Sequence, residues 1–183
     1  MKMVKVAAIL LMPLLMASFL TVVPAMAKTQ TYKLEMFAQM NPSSQPLISQ
    51  YTTSDGHYWF WECNWKYDLS LSYNPVSYQM GSLIGYKWIH MWGVVDLWST
   101  PMTDTFIGIG TYTFTDTSMF GRAGTGAFTL LCYSSSPWPH SISGTWVIVG
   151  GTGSLAGIHG QGSFIPDVDP DTTHYLGTVW FSR

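Results

Sequence analysis

The chain has 183 residues, of which 47% are hydrophobic, 15% are aromatic and only 10% are charged, and its net charge at pH 7 is −2. A protein that binds nucleic acid needs a basic face for the phosphates, so this balance argues against a nucleic-acid partner. The length suits a single domain with a sizeable core.

The first 27 residues predict an export signal. Lys2 and Lys5 precede an apolar run over residues 6–23, and Ala25-Met26-Ala27 has the small-x-small form that signal peptidase recognises. We therefore expect a signal peptide over residues 1–27, a mature domain over residues 28–183 and a secreted or extracytoplasmic protein. If the signal stayed uncleaved, the same run would act as an N-terminal membrane anchor. No later segment is apolar and long enough to span a bilayer, so we expect no membrane contact after cleavage.

Short strands follow in chain order. Residues 28–40 alternate apolar and polar side chains and predict a first strand. The hairpin-type dipeptide Asp55-Gly56 precedes an aromatic strand over residues 57–67. Strand parity places Trp59, Trp61, Cys63 and Trp65 on one face of it and Tyr58, Phe60 and Glu62 on the other. Pro75 and Gly81 interrupt residues 69–85, which predict a long loop or an irregular edge strand.

Strand patterns continue through the middle of the chain. Residues 86–98 place Trp88 and Trp92 on one face, and Gly93 suggests a bulge. In residues 106–115 aromatic side chains alternate with threonines, which predicts one packed face and one polar face. Residues 122–133 form the next predicted strand.

The last forty residues are typical of an antiparallel meander. A β-branched and aromatic run, Trp146-Val147-Ile148-Val149, stops at a predicted glycine turn over residues 150–153. Two further strands are predicted over residues 155–164 and 175–181, the first interrupted by glycines. No stretch of the mature chain shows a helical period. The predicted fold class is therefore all-β, a single antiparallel β-barrel of about eight strands that occupies residues 28–183.

Glycine patterns in this half resemble a known family. G-G-T-G-S-L-A-G-I-H-G over residues 150–160 follows W-V-I-V, and G-R-A-G-T-G-A-F-T-L spans residues 121–130. These segments resemble the closing strands of the allene oxide cyclase and dirigent barrels, including their uncharacterised microbial relatives. The resemblance covers residues 104–183 and implies the barrel fold. Dirigent proteins tend to have Ala-Arg-Gly where this chain has Ile158-His159-Gly160, so the resemblance implies no catalytic residue here.

Motif searches point to no cofactor, metal or nucleophile. The five histidines stand at no recognised ligand spacing, and H-E-x-x-H is absent. The acidic run around Asp169 lacks the glycine and glutamate that complete an EF-hand loop. G-x-S-x-G is absent, and the glycine turn over residues 150–153 lacks the lysine of a phosphate-binding loop. The sequence therefore predicts no cofactor and no metal, and it leaves any catalytic residue unidentified.

Tryptophans are the remaining functional candidates. Their ordinary role is packing in the sheet and core, and their functional role would be to line a site for an apolar, aromatic or sugar ligand. The candidate ligand-binding residues are Trp59, Trp61, Trp65, Trp88, Trp92 and Glu62. Glu62 is included because stabilising a reactive intermediate needs a polar group inside the barrel.

Three functions remain open. In the first, the exported barrel binds a small, largely apolar or aromatic molecule without catalysis. In the second, it is a cofactor-independent cyclase or dirigent-like protein that confines a reactive intermediate, which relies on pocket shape more than on a motif. In the third, exposed tryptophans make a cell-surface structural or carbohydrate contact. The oligomeric state is not predicted.

Two cysteines predict a disulfide. Cys63 and Cys132 are the only cysteines in the chain, and an exported protein meets an oxidising compartment. We expect them to form a disulfide that joins the aromatic strand to the strand after Arg122. The alternative is two separate buried thiols, since free cysteine packs as a small hydrophobe.

Overall fold

The computed structural model describes residues 30–41, 47–115, 119–122, 125–137, 143–166, 169 and 171–182. Within this part the chain forms eleven strands, one short 3-10 turn at Met119–Gly121 and no α-helix. The strands are β1 Thr31–Met40, β2 Leu47–Thr52, β3 Tyr58–Ser70, β4 Tyr73–Asn74, β5 Gln79–Met80, β6 Leu83–Asp96, β7 Thr103–Phe114, β8 Gly126–Pro137, β9 Gly144–Gly153, β10 Ile158–Pro166 and β11 Thr172–Phe181. No helix of the described residues is long and apolar enough to cross a membrane. The predicted signal peptide lies outside these residues and stays a prediction.

Eight antiparallel strands close into a barrel. Their order is β1-β11-β10-β9-β8-β7-β6-β3, and β1 pairs back onto β3 through Phe37–Met40 opposite Tyr67–Ser70. Closure gives the backbone groups of both terminal strands a partner and removes the open edges that an extended sheet would expose. The predicted all-β fold, a single antiparallel barrel of about eight strands, is confirmed.

β3 extends beyond the residues that pair with β1, and the extended part pairs with β2 on the same edge. Its first half, Trp59–Cys63, pairs with β2, which continues the line of β1 along β3. At the end of the barrel where β3 begins, four neighbouring strands stay paired to their last residues. These strands are β3, β6, β7 and β8, and the residues are Tyr58, Asp96, Thr103 and Pro137. The next strand, β9, begins only at Gly144, which lies opposite Ser134 of β8. A curved sheet therefore projects from one end of the barrel. We call its concave face the end trough, and its side chains are those of Trp59, Trp61, Val95, Asp104, Phe106, Ser134 and Ser136.

The barrel interior is filled by side chains at alternate positions of every strand, as the period of two requires. On β7 the inward positions run from Asp104 to Phe114, and each outward neighbour is more exposed. Trp146 is the largest fully buried side chain. Its indole crosses Gly162 and Gly177 on β10 and β11, where any Cβ would overlap the ring. These two glycines therefore make room for a core tryptophan.

Several local predictions need correction. The glycine turn lies at residues 154–157 instead of 150–153, because Gly150 and Gly151 stay in β9 opposite β8 at a register shift. Gly93 is no bulge, since the β3–β6 register runs through it without a shift. β2 was not predicted as a strand. The segment 69–85 contains the end of β3, the start of β6 and the small β4–β5 hairpin between them.

The predicted disulfide is not supported. Cys63 and Cys132 are both free and buried, which matches the alternative of two separate thiols. The register places Met91 and Gly108 between them, so two strands separate the cysteines. Three strand spacings amount to about 14 Å along the sheet. A disulfide requires α-carbons within about 7 Å, so closing this bond would need a rearranged barrel.

Candidate functional site

The structure divides the five candidate tryptophans between two faces. Trp61 and Trp65 are partly buried on the inner face of β3 and pack against the core, and Trp59 lies one step further out on the same face. Trp88 and Trp92 lie on the outer face of β6 and are 48% and 44% exposed. Trp88 and Trp92 therefore do not line the interior together with the other three.

Asp104 supplies the polar group of the end trough. It lies on the inner face of β7 and is only 9% exposed. Trp61 Nε1 donates a hydrogen bond to Asp104 Oδ1 at 3.1 Å. Ser136, its cross-strand partner on β8, faces the same side and is also buried. A carboxyl group thus lies among aromatic and hydroxyl side chains.

Burial dominates the electrostatics of Asp104. It raises the pKa of this carboxyl to about 6, because the charged form loses water, and the hydrogen bond from Trp61 opposes the shift. No described basic side chain forms an ion pair with Asp104, since the described ion pairs join His57 to Asp96, His90 to Glu62 and His174 to Glu35. A buried carboxyl of this kind exchanges its proton near neutral pH.

Gly93 allows the contact between Trp61 and Asp104. Trp61 lies opposite Gly93 on β6, and a Cβ at residue 93 would overlap its indole. With no side chain in the way, the indole lies across β6 and its N–H reaches β7. The glycine is therefore part of the site through the space that it leaves.

Aromatic rings connect the end trough to the middle of the barrel. Trp61 lies 6.0 Å from Phe106, and Phe106 lies 6.1 Å from Phe164, measured between ring centroids. Phe164 contacts Tyr175, and Tyr175 meets Tyr112 edge-on at 5.7 Å. Tilted and edge-on pairs at such distances are favourable. The trough is therefore continuous with an aromatic interior.

A second ionisable group, Lys87, lies at the centre of that interior. It is 2% exposed, and its Nζ donates a hydrogen bond to Tyr175 Oη at 2.7 Å. The same Nζ lies 3.7 Å from the centroid of the Tyr67 ring and 4.7 Å from that of Tyr175. No described carboxylate forms an ion pair with it. Aromatic faces and one hydroxyl therefore replace water around this amine.

Burial shifts every titratable group in this central cluster toward its neutral form. It lowers the pKa of the Lys87 amine to about 7, against a smaller opposing effect of Cys132. It raises the pKa of the Cys132 thiol to about 12, and it raises the pKa values of Tyr67 and Tyr175. The thiol and the phenols therefore stay protonated at neutral pH, which makes the cluster a poor source of a nucleophilic thiolate.

Glu62 lies outside the barrel, as strand parity predicted. Its Oε1 lies 2.9 Å from His90 Nε2, and its Oε2 accepts a hydrogen bond from Ser49 at 2.9 Å. His90 Nδ1 in turn lies 2.6 Å from Asn64 Oδ1. Glu62 therefore joins three strands on the outer surface, and the interior acids and bases are other residues.

Asp104 and Lys87 are the site residues that the sequence analysis missed. Strand parity contains the signal for both. Asp104 shares its parity with Phe106 and Tyr112 on β7, and Lys87 shares its parity with Ile89 and Met91 on β6. If the alternation of buried positions had been extended to Asp104 on β7 and to Lys87 on β6, both side chains would have been predicted inside the barrel.

Comparisons with known proteins give similar structures and no related sequence. No family model matches the chain, and no curated protein matches it. Similar solved structures include two pterocarpan synthase dirigent proteins. GePTS1 is 14% identical with a TM-score of 0.48, covering 89% of this chain and 95% of its own. PsPTS1 is 16% identical with a TM-score of 0.47, covering 84% and 97%.

Pyocyanin demethylase is a third similar structure. It is 14% identical with a TM-score of 0.46, and the match covers 80% of this chain and 99% of that one. The neighbours include dirigent proteins, as the sequence resemblance anticipated. We transfer no activity and no residue role from these similarities.

Among the described residues, no group of three or more His, Cys, Asp or Glu side chains is placed to hold a metal ion. Asp104 has the Trp61 indole as its described hydrogen-bond partner, and Lys87 is surrounded by tyrosines. The arrangement thus offers one carboxyl near the end of the barrel and one amine deep inside.

Proposed function

We propose that this protein binds a small, largely apolar or aromatic molecule in the end trough, with the ligand's apolar body against Trp59, Trp61 and Phe106. The observation that carries the proposal is the contact between Trp61 and Asp104, because it places one oriented polar group within an aromatic wall. Ligand sites combine mostly apolar walls with few polar groups in this way. At the end trough Trp61 is only partly buried, whereas Phe106 and most of the side chains further along the interior are buried.

Titration with a neutral fluorescent probe, N-phenyl-1-naphthylamine, tests this proposal. We expect saturable enhancement of probe emission and energy transfer from tryptophan, and we expect Trp59→Leu with Trp61→Leu to weaken binding about tenfold or more. The matched control is Trp88→Leu with Trp92→Leu, which removes two tryptophans from the outer face. If the outer pair weakens binding and the inner pair does not, the end trough is not the site.

Asp104 favours a second candidate function, cofactor-free catalysis by confinement of a reactive intermediate. A group whose pKa lies near 6 can donate and accept a proton at physiological pH, which general acid–base catalysis needs. The test uses a ligand recovered with the protein and follows its isomers by mass spectrometry and chromatography. Catalysis predicts that Asp104→Asn stops conversion while N-phenyl-1-naphthylamine still binds. An unchanged ligand after long incubation with the intact protein supports binding alone.

Export, and a secreted or extracytoplasmic location, are part of this proposal. They rest on the charged and apolar pattern of residues 1–27 and on the Ala25-Met26-Ala27 site. Sequencing the amino terminus of protein recovered from the medium of a secreting host would test them. A mature chain that begins at Lys28 is expected, and a chain that keeps Met1 in the membrane fraction would favour the anchor.

A further inference from the structure

The charge of Asp104 is not balanced by the described part of the protein. Four lysine or arginine side chains lie within this part, and none is near it. Lys33 and Lys66 lie on outer faces, and Arg122 lies over the Phe181 ring at the opposite end of the barrel. Val95 is the partner of Asp104 on β6, and Lys87 is eight residues from Val95 along that strand. Eight residues of extended strand span about 27 Å. Among the described residues, the trough therefore holds a carboxylate without a cation.

An unpaired buried carboxylate is unfavourable in a folded protein. Removing it from water carries a penalty that a neutral indole N–H compensates only in part, as the raised pKa of Asp104 indicates. Asp104 Oδ1 accepts the Trp61 hydrogen bond, and the other oxygen has no partner among the described residues. Asp104 is only 9% exposed, and its side chain on the inner face of β7 thus keeps an acceptor without a described partner.

The surroundings of that acceptor suit a cation. The rings of Trp61 and Phe106 lie on the same inner face, with their centroids 6.0 Å apart, and indole is the aromatic side chain that attracts cations most strongly. Ser134 and Ser136 add hydroxyl groups, which are hydrogen-bonded to each other at 3.3 Å, and the Ser134 hydroxyl also donates to the Ser143 carbonyl. The carboxylate, the aromatic faces and the hydroxyl oxygens attract positive charge, and the described donor beside the carboxylate, the Trp61 N–H, is neutral.

We propose that the ligand of the end trough carries a positive charge beside its aromatic or apolar body, with the charge held by the Asp104 carboxylate and the ring faces of Trp61 and Phe106. This inference rests on the proposed function and names the chemical class of its ligand: an aromatic or alkyl ammonium, or a cationic heteroaromatic ring. The binding of such a cation supplies the missing partner of the carboxylate.

A matched pair of probes tests the charge separately from the site. Phenyltrimethylammonium and tert-butylbenzene have nearly the same shape and differ by one positive charge. At pH 8 and physiological salt we expect the cation to bind about tenfold or more tightly than its neutral isostere, measured by tryptophan fluorescence and calorimetry. Asp104→Asn should remove this preference, and lowering the pH through about 6 should weaken it because the carboxyl gains a proton.

The control variant is Glu62→Gln, which removes a carboxylate held on the outer surface by His90 and Ser49 and should leave the preference unchanged. If both probes bind equally and Asp104→Asn changes neither, the ligand class is neutral and this inference is wrong, while the proposed function stands. If neither these probes nor N-phenyl-1-naphthylamine binds, the proposed function fails with it. Loss of the preference in Glu62→Gln would place the cation outside the barrel and also overturn the inference.

Discussion

Asp104 and Lys87 are the two charged side chains that the described barrel buries, and each lies among aromatic rings with no opposite charge beside it. Burial shifts their pKa values in opposite directions, the carboxyl upward and the amine downward, because it penalises the charged form of each. Each group carries a desolvation penalty that an apolar side chain would avoid. Buried ionisable groups with shifted pKa values are typical of functional sites.

Replacing Asp104 by Asn should stabilise the protein at pH 8 by about 1–3 kcal/mol, because the raised carboxyl pKa means that the folded state binds the carboxylate's proton more tightly than the unfolded chain. The buried Asp104 carboxylate destabilises the natural protein by its full amount above about pH 6. This destabilisation disappears as the pH falls toward 4, because the carboxyl is then protonated in both the folded and the unfolded state. Urea unfolding at pH 8 and pH 4 measures it. A variant that is less stable than the natural protein at pH 8 would contradict the expectation.

Lys87 predicts a pH dependence on the alkaline side. Its amine has a lowered pKa of about 7, so between pH 7 and about 10 the unfolded chain binds a proton that the folded chain does not. Stability should therefore rise with pH in this window, by up to about 1.4 kcal/mol per unit. Lys87→Met should flatten the rise. The slope from pH 7 to 9.5 is the readout, because the variant also leaves the Tyr175 hydroxyl unpaired and its absolute stability mixes both effects.

At the scale of the strands, the site depends on glycines that leave space for tryptophan rings on the inner face of the sheet. Gly93 on β6 lets the Trp61 indole lie flat, and Gly162 and Gly177 do the same for Trp146 deeper in the barrel. The β3–β6–β7 register then decides which groups meet across the gap. Gly93 lies between Trp61 and Phe106 in this register, and the space above it lets the Trp61 N–H reach Asp104, the neighbour of Phe106 on the inner face of β7.

Gly93→Ala should destabilise the protein by about 1–3 kcal/mol, because the added methyl group displaces the Trp61 indole from its position and from Asp104. Chemical unfolding gives the loss, and the tryptophan emission maximum should shift at the same time. Gly150→Ala is the matched control, since a Cβ there meets nothing within 4 Å. In a Trp61→Leu background the effect of Gly93→Ala should nearly vanish, and an undiminished loss in that background would show that the indole is not its cause.

Much of the strand architecture follows from local sequence. β1, β3 and β6 through β11 each contain alternation or a β-branched run, and closure into a barrel follows from short antiparallel connections. β2 escaped prediction because its six residues carry a weak pattern and pair only with the overhanging half of β3. The position of the last turn was missed because glycines 150 and 151 look like a turn locally, whereas the register with β8 keeps them in the strand.

The site was harder to predict than the fold. Strand parity correctly placed Trp59, Trp61 and Trp65 on one face of β3. The local sequence does not show which face of one strand points to the same side of the sheet as a given face of another strand. Trp88 and Trp92 therefore entered the same candidate set, although the β3–β6 register puts them opposite Lys66 and Glu62 on the outside. Charge was also misleading, because Glu62 was chosen for its place among tryptophans in sequence, whereas the buried Lys87 and Asp104 were not among the candidates.

At the scale of the whole molecule, closure of the hydrogen-bonded sheet holds the barrel without a covalent link. β1 closes the sheet, since it pairs with β11 over most of its length and with β3 at its end. Cys63 and Cys132 lie inside this closed sheet as free thiols, 3% and 2% exposed. Burial raises the pKa of each thiol to about 12. Both thiols are therefore shielded from oxidants and alkylating agents and contain little reactive thiolate.

We accordingly expect two reactive thiols per chain in denaturant and none in the folded protein, assayed with Ellman's reagent or by iodoacetamide labelling and mass spectrometry. The thermal midpoint should be the same with and without dithiothreitol, because no disulfide contributes to stability. Labelling should proceed at the rate of unfolding, so Gly93→Ala should speed the reaction at Cys63 and Cys132, while Gly150→Ala should not. A chain with no titratable thiol in denaturant, or a midpoint that falls on reduction, would show that the protein is disulfide-bonded in solution and that the register between β3 and β8 differs from the one described.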